Sequence, residues 1–548
     1  IDNDAVITGD IYASGQGYTQ KDYGKGNAYL DGEANITVNG GTIKGNIYGG
    51  GEGVNKAEFE KSARVCKNSK VTVEIKGGLI EGYVYGGGKV AEVEGSTNVI
   101  ISGGTIKGNV YGGGEAGLTH GRAAVHMANG TVNGSIYGGA LGKVGDRFVY
   151  GGSTVNMTGG WVRGNVYGGS ELSNDGKSGE QDEKSASGLV FVNLTGGTVS
   201  GKVFGGGFQG IVNGSTHVHI GLGAIDKCNY YKSHAEEKPV LDASGLSVGG
   251  SVYAGGDYGG DSADLNYDTI TVNGFSHVYI DGTDYSFGAG DTGGKKMEIA
   301  GGVFGSGASC DAGDVRLVTL DHFGAAASGG GQPEQVTGTV TSIQRADQVR
   351  LIETHVRLAG QSDVANSNQT TPYSLNRIGD KGNFDKLGEL GNSLVLEGGS
   401  TLVLDSASNS VANLKSVDET ESKVVTQADL AHCPNTVVLS TGTVFRISNT
   451  SQGDSEEYGA VTGYFYMIAG DTADAYAFAR AKTETLNPSD GGFVVPGEKT
   501  ELGYTNIGTS YRYWKVAGDN AGATRHVVLT ARNSDSLGMG EDGFAAAE

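Results

Sequence analysis

Proline is nearly absent from this chain, with six in 548 residues, and cysteine (four), methionine (five) and tryptophan (two) are almost as scarce. So little proline beside 99 glycines excludes a collagen triple helix, which needs a strict glycine period and abundant imino acid. The same glycine content excludes a mostly helical chain, because glycine weakens helices. Cys66, Cys228, Cys310 and Cys433 are scattered without metal-ligand spacing and are too few for a dense disulfide framework. A low thiol count suits a secreted bacterial chain. No apolar run reaches the roughly 18 residues of a membrane span, so membrane insertion is not expected. Basic side chains are in deficit, 40 against 62 acidic ones, for a net charge of −22. That balance repels nucleic-acid phosphates and anionic lipid. The chain opens at Ile1 with no leader-like segment, which we read as a mature chain or a fragment.

What is present is a repeat. GGTIKGNIYGGG (40–51), GGLIEGYVYGGG (77–88), GGTIKGNVYGGG (103–114), NGTVNGSIYGGA (129–140), GGWVRGNVYGGS (159–170) and GGTVSGKVFGGG (196–207) are copies of one pattern, with degenerate copies at 245–256 and 301–307. Each is preceded by an alternating segment in which one face carries Ile36 and Val38, Val73 and Ile75, Val99 and Ile101, or Val125 and Met127. Period two places these pairs on one side of a strand, and β-branched residues suit a pleated, half-buried surface. A Val or Ile recurring once per repeat is what stacked parallel strands need, each pairing with its copy about 4.8 Å away. One repeat cannot close a core alone, so several must stack. The predicted fold is all-β: a right-handed parallel β-helix (β-solenoid) over residues 1–310, less regular coils over 311–450, and a β-rich, cap-like domain with a polar tail over 451–548. Within that last domain, the Ala-rich stretch 472–482 is predicted to be a short helix.

Insertions fall at two kinds of place. Segments 52–70, 141–152 and 171–188 leave after the Tyr-Gly-Gly corner, and 222–244 and 282–298 leave after the first strand. Loops on a rigid scaffold are the usual carriers of binding residues.

No catalytic constellation is evident. A glycosidase needs two acids close together on one outer strand, and a lyase needs clustered bases beside acidic ligands. Arg345, Arg350 and Arg357 are spread through one stretch. His217 and His219 flank Val218 and are expected on the outer, solvated face. The clustered oxygen donors Asp257, Asp261, Asp264, Asn266 and Asp268 suit calcium, although their spacing matches no standard calcium loop; no other cofactor is indicated. Strict alternation points Ile47-type residues inward and Tyr48-type residues outward. On that reading Tyr48, Tyr85, Tyr111, Tyr137, Tyr167 and Phe204 form an exposed aromatic ladder able to bind sugar rings or a protein. If the chain instead turns over them at the glycines, they form a structural stack.

The GGTIKGNVYGGG repeats, the stretch from IQRADQVRLIETHVRLAG (343–360) to GGSTLVLDS (398–406), and YRYWKVAG (511–518) resemble the very large, repeat-rich, adhesin-like surface proteins of Gram-positive gut bacteria. The overall shape expected is similar to the pectate-lyase superfold, and shared fold does not carry shared activity. The resemblance implies a non-catalytic binding protein, secreted or held at the Gram-positive cell wall and monomeric as isolated. Its partner would be a host protein or glycoprotein such as mucin or immunoglobulin, or a glycan. Alternatives are a polysaccharide lyase or glycoside hydrolase on the same fold, and a passive stalk.

Overall fold

The computed structural model describes residues 1–16, 18–20, 24–26, 29–53, 63–66, 70–142, 147–176, 188–259, 270–287, 295–308, 310–312, 315–325, 336–358 and 394–404. Beyond these it describes the strand backbones 408–411, 414–417, 436–439, 444–448, 460–469, 475–485, 512–519 and 526–533. The chain is all-β, its sheets mostly parallel, with very few helices, an arrangement compatible with the expected β-helix. No helix among the described residues is long and apolar enough to cross a membrane. Two compact units are present: Ile1–Tyr285 with Thr292–Ala300 and Phe304–Arg316, and Ser286–Asp291 with Gly301–Val303 and Leu317–Glu548.

In the first unit, the repeats add to one another in register. The long strands Thr97–Ile106, Ala123–Val132, Ser153–Val162 and Val190–Val199 pair in parallel, so that Val73, Val99, Val125, Val155, Val192, Val218 and Val278 form one unbroken column. Ile75, Ile101, Met127, Met157, Leu194, Ile220 and Ile280 form a second. A second sheet of two-residue strands adds the column Ile47, Val84, Val110, Ile136, Val166, Val203 and Val252. All of these side chains are buried, and burial of each stabilises by roughly 1.5–3 kcal/mol. Polar groups close the corners. The buried hydroxyls of Thr97, Ser153 and Thr216 donate to the carbonyls of Gly112, Gly168 and Ala254 at 2.6, 2.7 and 2.6 Å.

Two glycine columns have separate physical causes. Gly104, second of its pair, has φ 77°, a left-handed conformation that L side chains adopt at a cost. Gly112 has no room: a Cβ there would sit inside van der Waals contact with the Gly138 carbonyl oxygen of the next repeat.

In the second unit, parallel pairing continues. Leu317–Asp321 pairs with Gln348–Ile352, which pairs with Leu394–Glu397, and Gly338–Val340 pairs with His355–Leu358, which pairs with Thr401–Leu404. Pairing then turns antiparallel, between Ala460–Ala469 and Ala475–Thr485 and between Arg512–Asp519 and His526–Asn533. The expected helix at 472–482 is therefore corrected to a strand from Ala475 onward, and 472–474 lie outside the described residues. Its alanine content favours a helix locally, but Tyr476 and Phe478 alternate at period two and a neighbouring strand supplies the hydrogen bonds, which overrides propensity.

Gly112→Ala is expected to destabilise the protein by about 1–3 kcal/mol through overpacking, read as a fall in Tm. Gly9→Ala, whose added Cβ meets nothing within 4 Å, should leave Tm unchanged; equal melting of the two variants would refute the close-approach argument.

Candidate functional site

The aromatic ladder forms, but it is not exposed. Tyr12, Tyr48, Tyr85, Tyr111, Tyr137, Tyr167, Phe204, Tyr253 and Phe304 stack in sequence with ring centroids 4.6–5.1 Å apart and planes within 12° of parallel. The strand spacing imposes that separation. Tyr48, Tyr85, Tyr111, Tyr137, Tyr167 and Phe204 are at most 5% exposed, which corrects the expectation of an exposed ladder and matches the alternative of a covered stack. The alternation is right for the two-residue strand, but the chain returns past the glycine corner and covers the rings. Leu141 and Phe208 pack on the ladder, and Phe208 meets Tyr167 edge-on at 6.1 Å.

The phenol ends of the ladder are also bonded. Tyr48 and Tyr111 donate to the carboxylates of Glu115 and Glu171. Asn46, Asn109 and Asn165 donate their amide N–H to Tyr48, Tyr111 and Tyr167 at 3.1, 3.0 and 3.0 Å. Each of these amide oxygens accepts a backbone N–H from the next repeat, of Tyr83, Ser135 and Lys202, at 2.8–2.9 Å. This is the physical content of the Gly-Asn-Ile/Val-Tyr signature: one side chain ties its own tyrosine to the neighbouring repeat. Burial first, and then the nearby carboxylates, push the phenols well above their ordinary range.

Of the expected calcium ligands, Asp257 is described. It is half-buried, and its carboxylate accepts the Gly259 N–H at 3.1 Å. Asp261, Asp264, Asn266 and Asp268 lie outside the described residues. Arg350 is engaged by Glu397, with its Nη2 and Nε at 2.5 and 3.0 Å from one carboxylate oxygen. Cys66, Cys228 and Cys310 form no disulfide among the described residues, and the Cys310 thiol donates to the Gly256 carbonyl at 3.3 Å; Cys433 lies outside the described residues.

The side chains that do converge are His217, His219 and Cys228. The expectation that the two histidines are solvated is corrected: they are 7% and 2% exposed. They do point away from Val218, as alternation requires, but the insertion that follows folds back over them. It forms helix α1 (Leu222–Lys227), helix α2 (Asn229–Ser233) and a 3₁₀ turn (Ala235–Glu237), with Cys228 at the joint between the helices. Leu189, Phe191, Ile225, Cys228, Tyr230 and Tyr231 make one apolar cluster. The flap is pinned by Lys227 on the buried Asp281 at 2.7 Å, by Ser244 on the Thr158 carbonyl at 2.7 Å and by Thr195 on the Asp242 carbonyl at 2.8 Å.

Hydrogen bonds determine one imidazole. Asn193 donates its amide N–H to Asn156 at 2.7 Å and to the Tyr231 hydroxyl at 3.1 Å, and its Oδ1 lies 2.8 Å from His219 Nδ1. An amide oxygen only accepts, so His219 carries its proton on Nδ1 and leaves Nε2 with a lone pair. Among the described residues, the His217 ring is held by ring contacts: stacked on Phe191 at 5.0 Å and edge-on to Phe275 at 4.9 Å. Burial, with His277 in register on the next strand, pushes His217 down to about 3 and His219 well below the ordinary histidine range. Burial pushes the Cys228 thiol up. The ligand atoms of His217, His219 and Cys228 all lie within 4.8 Å of one another. The pattern His-x-His followed nine residues on by Cys, just ahead of Tyr230 and Tyr231, is the sequence signal for this cluster; its cysteine passes for isolated unless the insertion is seen to fold back.

Comparisons with known proteins return no matching family profile, no matching curated protein and no matching solved structure.

The ladder phenols are expected to stay protonated until the protein unfolds. Their folded-state values are raised above the ordinary value of 10.0, so unfolded tyrosines ionise first. Stability is then fully present below pH ~10 and falls as pH rises beyond it. Ultraviolet titration should show the ladder's phenolate absorbance appearing together with loss of sheet signal, and ionisation of every tyrosine in a folded protein would contradict this. Tyr111→Ser should cost about 3–5 kcal/mol, the penalty of an aromatic-to-small core truncation, read by denaturant titration.

Proposed function

We propose that this protein is a non-catalytic, adhesin-like bacterial binding protein, secreted or held at the Gram-positive cell wall. Its repeats would form a right-handed parallel β-helix, and the excursions along one edge would engage a host protein or glycoprotein such as mucin or immunoglobulin. One observation carries the reading. Among the described residues, several excursions of different length on that edge lie between two ladders of single bridges. The departure points Glu115, Leu141, Glu171, Phe208 and Asp257 bridge one another in succession, and so do the return points Leu30, Val65, Val93, Thr119 and Val149. Between them the chain goes directly from Val90 to Val93 in one repeat, yet takes residues 53–64 in another and 142–148 in a third. A constant frame with variable loops is how binding surfaces are diversified without disturbing a core. The buried ladders are committed to holding repeats together, which leaves these excursions and the outer faces as the surface for a partner. The acidic balance of −22 favours a soluble, non-aggregating chain.

Solid-phase binding to arrayed mucins, immunoglobulins and glycans tests this. The wild type is expected to bind at least one class. A variant with 53–64 and 142–148 each replaced by the two-residue Ala91-Glu92 connection should lose that binding with Tm unchanged. Absence of binding across the panel would overturn the reading, as would reducing or unsaturated ends released from polysaccharides by the wild type.

A further inference from the structure

We propose that His217, His219 and Cys228 form a zinc site that clasps the 222–244 flap to the sheet beneath it. The three residues are 7%, 2% and 6% exposed, and their donor atoms lie within 4.8 Å of one another. Two imidazoles and one thiolate are a borderline-soft donor set, which suits zinc over calcium or magnesium. A tetrahedral zinc ion would set these donors about 3.3–3.7 Å apart, from bond lengths of about 2.0–2.3 Å. Occupancy therefore draws the three donors together by about an ångström at most. The histidines sit at i and i+2 on one strand, Thr216–Ile220, which is paired on both sides, while the cysteine sits at the joint of the flap. The ligands thus come from a rigid element and a docked one, the arrangement in which an ion acts as a cross-link.

The surroundings fit the ion. His219 gives its Nδ1 proton to Asn193, which leaves Nε2 with the lone pair that a metal needs, as metal-bound histidines are usually held. Asn193 is itself fixed by Asn156 and Tyr231, so the ring is oriented before any ion arrives. Phe191, Tyr230 and Tyr231 make the rest of the pocket aromatic. Two imidazoles buried in such a shell carry a desolvation cost that apolar side chains would avoid, and ligation gives them a partner. Binding is not a redox step. Zinc(II) accepts lone pairs from two neutral imidazoles and from sulfur, the Cys228 S–H bond breaks, and one proton leaves to solvent. Three protein ligands leave one tetrahedral position for water or another donor.

The test uses the full chain, freed of metal by chelator and kept reduced. Cobalt(II), a spectroscopic stand-in for zinc, should bind at one equivalent with tetrahedral d–d bands and a sulfur-to-cobalt charge-transfer band. Zinc chloride should bleach both, release one proton per ion and raise Tm. Cys228→Ser should abolish the charge-transfer band and weaken zinc binding at least 100-fold, and Asn193→Leu should weaken it about 10–100-fold, the range for losing an orienting partner. Cys66→Ser should change neither. A measurement without variants covers the case in which Cys228→Ser misfolds: zinc should protect Cys228, and not Cys66, from iodoacetamide as read by peptide mass spectrometry. Absence of stoichiometric cobalt or zinc binding would overturn the proposal. So would a charge-transfer band that survives Cys228→Ser, or zinc protection that falls on another cysteine.

Discussion

In-register parallel hydrogen bonding between successive repeats is the constraint on which the first unit rests. Once Val99 pairs with both Val73 and Val125, the other strand positions that keep this register also lie over their own copies, about 4.8 Å away. A side chain is then selected less for its own surroundings than for tolerance of itself stacked above and below. Valine and isoleucine meet that condition by interdigitating. Aromatic rings meet it by parallel stacking at 4.6–5.1 Å. A buried charge cannot meet it, because like charges at that spacing repel. The interior columns are accordingly aliphatic, aromatic, hydroxyl or glycine in the main, and the buried Asp175 has Val149 and Val212, not another acid, on either side of it.

Glycine and asparagine, the residues that look most like turn filler, are the most tightly specified. Glycine at Gly112 is required by the carbonyl of the next repeat rather than by conformation, whereas at Gly104 the positive φ requires it. Asparagine at Asn46, Asn109 and Asn165 has both a donor and an acceptor in use, the first within its own repeat and the second on its neighbour. Aspartate lacks the donor and serine the reach. Serine at Ser135 keeps the inter-repeat bond by accepting the Asn165 N–H at 3.0 Å.

The columns could be read before the structure because period two and a fixed interval are local properties of the chain. Val73, Val99 and Val125 announce their stacking in the sequence. The coverage of Tyr48 and its copies could not be read so, since it depends on residues such as Glu115 and Glu171, more than one repeat ahead, reaching back to the phenols. His217 and His219 fail the same way. Alternation assigns their face correctly, but whether that face is wet depends on where Cys228, Tyr230 and Tyr231 land. The segment at 475–485 is the converse case, in which local composition points to a helix and a partner strand decides otherwise.

These two kinds of legibility reflect a division of labour. Lengthening a loop is cheap: each doubling costs only about 0.6 kcal/mol of closure entropy, less than the roughly 1.5–3 kcal/mol from one more buried aliphatic side chain. Where an excursion lies between bridges shared with neighbouring repeats, as 142–148 does between Leu141 and Val149, its length does not propagate into the register of the sheets. The outer column His126, Asn156, Asn193, His219 and Tyr279 shows what this freedom permits. Its polar residues hydrogen-bond along the stack from His126 to His219 and become deeply buried where an insertion returns over them. The interior therefore supplies stability that changes little from repeat to repeat. An insertion can convert one stretch of outer face into a desolvated, preoriented pocket without any change to the residues that hold the fold.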